Sequence, residues 1–220
     1  MDILNPNKLF ENVRKATRLM FEFQKRMQGT MFHIKSELKL LPPGRIEVNK
    51  LYSRAPRQSK DYGESQLQYE NWAWDYIYPQ AMEYYLGEKS IADFDFKLSA
   101  IQLADDGYYL AVQNSTNAHI LRTETYADVS QSTSWILFVM EIKPNSSEWA
   151  KRWNRDSMES NLNKWMSETD SIIHEITSSG SDFIIMKFPM QEIISENTLN
   201  RTLNIVSKCV SDISGISIMS

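Results

Sequence analysis

The chain has 220 residues, 42% hydrophobic and 24% charged, with a formal net charge of −4, the proportions of one substantial folded domain. Seven Gly and seven Pro exclude long low-complexity tracts, and no apolar run approaches the about 18 residues of a membrane span. The lone Cys209 excludes an internal disulfide, and the first residues lack the layout of a signal peptide, so the expected compartment is the cytoplasm, with no membrane partner.

Charge is unevenly spread. Residues 1–60 hold 13 Lys and Arg against 5 Asp and Glu, whereas residues 61–220 hold 11 against 23. The basic part coincides with a helical pattern. Apolar residues recur at Leu9, Val13, Ala16, Met20, Phe23, Met27, Met31, Ile34, Leu38 and Leu41, a spacing of three and four that predicts one long amphipathic helix. Pro42-Pro43-Gly44 stops it, after a length of about 50 Å at roughly 1.5 Å per residue. Arg14, Lys15, Arg18, Lys25, Arg26 and Lys35 lie mostly off this seam.

A polar connector over 45–65, with a short strand at Arg45–Leu51, leads to a predicted aromatic helix at Gln66–Leu86. There Tyr69, Trp72 and Tyr76 line one side, and Trp74, Tyr78 and Tyr85 face another as interface candidates. The middle reads as sheet. Asp93–Leu103 alternates, Asp105-Asp106-Gly107 is a hairpin signal, Tyr108–Gln113 returns, Asn114–Asn117 turns and His119–Tyr126 alternates again. Trp135–Ile142 is the most continuously apolar run and is expected as the central strand. A helix over Glu148–Thr177, a loop at Ser178–Ser181, a strand at Asp182–Phe188 and a helix at Ile193–Ile213 complete the order. The class is α+β, with a mostly antiparallel sheet of four to five strands covered by long helices. Residues 1–44 form the assembly helix and 45–220 the α+β domain, together one compact unit.

Chemistry-bearing patterns are sparse. His33, His119 and His174 fall on three different elements without zinc-ligand spacing, and no glycine-rich phosphate loop or G-x-S-x-G serine is present. The sharpest catalytic candidate is Glu141-Ile142-Lys143 at the end of the central strand. The order of elements over roughly residues 66–190, with this acidic-x-lysine strand, resembles the core of the PD-(D/E)XK nucleases. The resemblance implies Glu141 as a ligand of Mg²⁺ or Mn²⁺, Lys143 as the lysine orienting the attacking water, and Asp106 or Asp128 as the preceding acid. Asp106 would share the metal with Glu141, and Glu83 would contribute from a helix. The sequence departs from the family where the acid after a proline is missing. The same tripeptide pattern also occurs at Glu37-Leu38-Lys39 and Asp95-Phe96-Lys97. The plainer alternative leaves Glu141 and Lys143 as solvated charges closing a strand.

The leading expectation is a non-enzymatic interaction or regulatory protein, without cofactor, that assembles with itself or as a subunit of a complex through the N-terminal helix. Arg14, Lys15, Arg18, Lys25 and Arg26 would select an acidic partner. A nucleic-acid-binding module using the same basic helix is the further alternative.

Overall fold

The computed structural model describes residues 6–41, 81–113, 126–147, 149, 155–177 and 180–219. The expected strand at Arg45–Leu51, the helix over 66–80, the turn at 114–117, the strand start at 119–125, and Trp74 and Tyr78 lie outside the described residues.

The first helix, α1, runs from Pro6 to Glu37. It stops before the prolines by its own hydrogen bonds: Lys39 N–H donates to Ser36 O at 3.1 Å and Leu40 N–H to Lys35 O at 3.1 Å. Lys39 takes the left-handed conformation (φ 51) that this ending requires, and Leu40 is buried behind it. Leu41 then pairs with Glu88, exchanging hydrogen bonds of 2.8 and 3.0 Å, so the helix end is clipped to the edge of the sheet.

Strand β1 spans Ala81–Ile91 and β2 Phe94–Leu103. They form a hairpin around Ala92–Asp93, where Ala92 is left-handed (φ 53). The helix expected through Leu86 is therefore corrected over 81–86. Met82–Leu86 is buried except for the half-buried Tyr85, and pairing with β2 outweighs the helix propensity of Ala, Met, Glu and Leu. Helix α2 (Gly107–Gln113) replaces the hairpin return expected at 108–113. Asp105 Oδ1 accepts Gly107 N–H at 2.8 Å and Asp106 O accepts Leu110 N–H at 3.1 Å, so the two aspartates start a helix instead of a turn.

Strand β3 (Trp135–Pro144) is central and buried through eight consecutive residues. Helix α3 covers Arg155–Ser167, β4 Ile172–Ile176, β5 Asp182–Pro189 and α4 Glu196–Ser214. The helix expected to reach Thr177 thus ends ten residues earlier. Ile172, Ile173 and Ile176 fit either a helical or a strand period, and pairing with β5 decides for the strand.

The sheet order is β1-β2-β3-β5-β4, with every neighbouring pair antiparallel. Alternation sends Phe96, Leu98, Phe138, Met140, Ile142, Ile184 and Met186 to one face. There they pack with Met27, Met31, Ile34 and Leu38 of α1 and Leu199, Leu203, Val206 and Val210 of α4. The opposite face carries Ile101, Leu103, Leu137, Val139 and Ile185 against Tyr108 and Tyr109 of α2 and Leu162 and Trp165 of α3. The α+β class and the antiparallel sheet agree with the sequence reading. Among the described residues no helix is long and apolar enough to cross a membrane.

Candidate functional sites

Two places concentrate chemistry: a charged ladder at one end of the sheet and the front half of α1 at the other.

The ladder continues the α2/α3 face of the sheet beyond Ser99 and Val139. Antiparallel register sets Asp95 opposite Lys143 and Lys97 opposite Glu141, so two acidic-x-lysine tripeptides meet head to tail and every positive charge faces a negative one. Lys97 Nζ lies 2.8 Å from Glu141 Oε2, and Lys143 Nζ lies 2.6 Å from Asp95 Oδ2. Both ammonium groups also sit over the Trp149 ring, at 4.4 and 4.6 Å from its centroid. Glu83, on strand β1 rather than on a helix, accepts a 2.7 Å hydrogen bond from Ser99 Oγ. Glu141 and Lys143 are 3% and 4% exposed, which corrects the reading of them as solvated strand-end charges. Lys97 and Asp95 of β2 lie against them, and the Trp149 ring lies on the two ammonium groups.

The Lys143 ammonium and the Ser90 hydroxyl, both hydrogen-bonded to Asp95, hold its carboxyl below the usual carboxylate range. A lowered value in the folded state means that its contribution to stability is complete above the unfolded value of about 3.9. That contribution is lost as pH falls through the lower folded value.

The acids matched to the nuclease pattern are not gathered. Asp106 lies between β2 and α2, beside the start of β3, with its oxygens taken by Thr133 N–H and Trp135 Nε1–H, each at 2.7 Å. Six residues of strand, about 20 Å, separate Trp135 from Glu141. Asp128 is exposed in a turn, where the Ser130 hydroxyl and backbone N–H lower its pKa. Among the described residues no group of three His, Cys, Asp or Glu is placed to hold a metal ion.

The second place is α1 forward of Gln24. The seam divides: Met27, Met31, Ile34 and Leu38 are buried in the chain's own core, whereas Val13 and Ala16 are exposed. A second stripe, absent from the sequence reading, is made by Phe10, Phe21 and Phe32, which are 58%, 67% and 48% exposed. Their spacing of eleven residues is close to three helical turns, so each is turned by only about 20° from the one before along the helix. This regularity is visible in the sequence, but the heptad seam masks it. Arg14, Arg18 and Lys25, all exposed, flank the phenylalanines on the side away from the seam. Lys15 is drawn onto Glu11 at 2.5 Å, which lowers the Glu11 pKa through the hydrogen bond and charge of Lys15, with Lys8 adding to it. Arg26 donates to Ile194 O at 3.1 Å, and Lys35 is buried.

A family model described as PM0109 matches residues 5–214. The chain belongs to the PM0109 family. The match runs from the start of α1 to the end of α4, so it covers both α1 and the ladder strands. No curated protein and no solved structure matches the chain.

Proposed function

We propose that the protein is a non-enzymatic assembly protein of the cytoplasm, acting as a homo-oligomer or as a subunit of a larger complex through the front half of α1. The observation that carries this reading is the exposed line Phe10–Phe21–Phe32 with cations along one side. Phe10 and Val13, three residues apart and both exposed, form one apolar patch, and Phe21 and Phe32 add exposed rings further along the helix, surface that a partner would cover. Flanking arginines suit an acidic protein surface, because Glu11 between Lys8 and Lys15 interrupts the row that phosphates would need.

Light scattering of the purified chain over a range of concentrations tests the proposal. The expected result is a concentration-dependent mass of a dimer or higher, reduced to the monomer in Phe10→Ser/Phe21→Ser with an unchanged circular dichroism spectrum. A constant monomer mass for the unaltered chain, at every concentration and in the presence of cell extract fractions, sinks it. Deleting residues 1–44 would be an unsuitable test, since the rear half of α1 belongs to the core.

A metal-dependent nuclease is less well supported by the same geometry, because the Glu141 carboxylate and the Lys143 ammonium each face an opposite charge across the ladder. That reading requires Mg²⁺- or Mn²⁺-dependent cleavage of nucleic acid that disappears in Glu141→Ala.

A further inference from the structure

From the placement of one groove we infer that the partner is a second copy of this chain, and that the front half of α1 from each copy lies in the groove of the other. This rests on the assembly reading and adds to it the surface that receives the helix.

The groove, of about 610 Å³, opens where β3 begins and β5 ends. Its wall carries the exposed Glu168 and Glu192, beside the apolar surfaces of Trp135, Ile172 and Ile205; Asp106 also lines it, but is buried with both oxygens engaged. Ile172 and Ile205 are both among the exposed large hydrophobic residues. The groove's lysine, Lys187, is turned onto carbonyls at and just after the end of α3, donating to Trp165 O at 3.0 Å and Glu168 O at 2.6 Å. The lining is therefore apolar with an acidic margin, the counterpart of an apolar helix stripe with a basic margin.

Position agrees with chemistry. Gln24 donates to Tyr84 Oη and to Met82 Sδ (3.2 Å), so α1 crosses the sheet near the start of β1 and its front half runs on past that end. Ala81 pairs with Leu103 and Leu103 with Trp135, which puts the groove at the same end. Residues 6–22 reach about 25 Å beyond Gln24. Two copies set end to end about a two-fold axis would each offer a helix and a groove to the other, and the contact closes on itself.

Charge exchange tests the assignment. One variant carries Arg14→Glu and Arg18→Glu, and the other carries Glu168→Arg and Glu192→Arg. Each alone sets like charge against like charge in a self-pair, so self-association should weaken at least about a hundredfold. An equimolar mixture restores both contacts and should recover a one-to-one heterodimer in light scattering. Circular dichroism of each variant checks the fold, and a variant that fails to fold is replaced by its single substitutions. If the groove variant self-associates like the unaltered chain, or the mixture stays monomeric, the groove assignment is overturned. The assembly reading then still stands, provided Phe10→Ser/Phe21→Ser dissociates the unaltered chain. A purified chain that is monomeric before any substitution removes the groove assignment, and it removes the assembly reading as well if the mass stays that of a monomer beside cell extract fractions.

Discussion

Replacing Glu141 by leucine is expected to lower folding stability by about 3 kcal/mol, while Glu141→Leu combined with Lys97→Met returns to within about 1 kcal/mol of the unaltered chain. Two opposed terms decide this. Withdrawing Glu141 and Lys97 from water costs several kcal/mol, and their attraction at 2.8 Å roughly offsets it, so the pair as a whole adds little. Removing one partner keeps the desolvation cost of the other and loses the attraction. Lys97 would then stand under Trp149 with Lys143 nearby and one fewer negative charge between them. Denaturant unfolding of the two single variants and the double variant gives the coupling directly. A Glu141→Leu chain as stable as the original would mean that the ladder is not a structural device. Strain relieved at that position would instead favour a site that binds or reacts.

The second large effect is expected at Gly87. It takes a φ of +126, and an added Cβ would lie 2.2 Å from the carbonyl oxygen of Leu41. Gly87→Ala therefore combines backbone strain of about 1–2 kcal/mol with a collision against main chain, for a loss of about 3 kcal/mol or more. Gly180 is the natural control. Its φ is +77 and nothing stands within 4 Å of its Cβ direction, so Gly180→Ala should cost only about 1 kcal/mol. The difference between the two unfolding midpoints measures how tightly the end of α1 is held on β1. Equal losses would mean that Leu41 does not lie against Gly87.

These two positions also show what could be read from the chain alone. The helix expected at Ile193–Ile213 was legible because Leu199, Leu203, Val206 and Val210 fit a helical period only, and β3 because its apolar run is short, rich in aromatic and β-branched residues and closed by Pro144. Segments 81–86, 108–113 and 172–176 were misread because short apolar runs satisfy both helical and strand spacing. Their partners, β2, the α2 packing against Leu103 and Trp165, and β5, lie far away in sequence. The ladder had a faint signature: Asp95-Phe96-Lys97 repeats the charge order of Glu141-Ile142-Lys143, and only an antiparallel pairing makes both repeats neutral. The heptad seam correctly announced α1, but not that its rear half belongs to the chain's own core. That division depends on how far the sheet extends, which no local pattern encodes.

Residues 6–22 of α1 have little core to lean on, and a free helix of this length is marginal in water. Hydrogen exchange as a function of protein concentration follows directly from this. Amides of 27–38 should be protected at every concentration, because Met27, Met31, Ile34 and Leu38 are packed in the core. Amides of 10–22 should exchange quickly in dilute solution and become protected in step with the rise in mass. Equal and concentration-independent protection of both halves, in a chain that stays monomeric, would contradict a helix that is completed only by a second molecule.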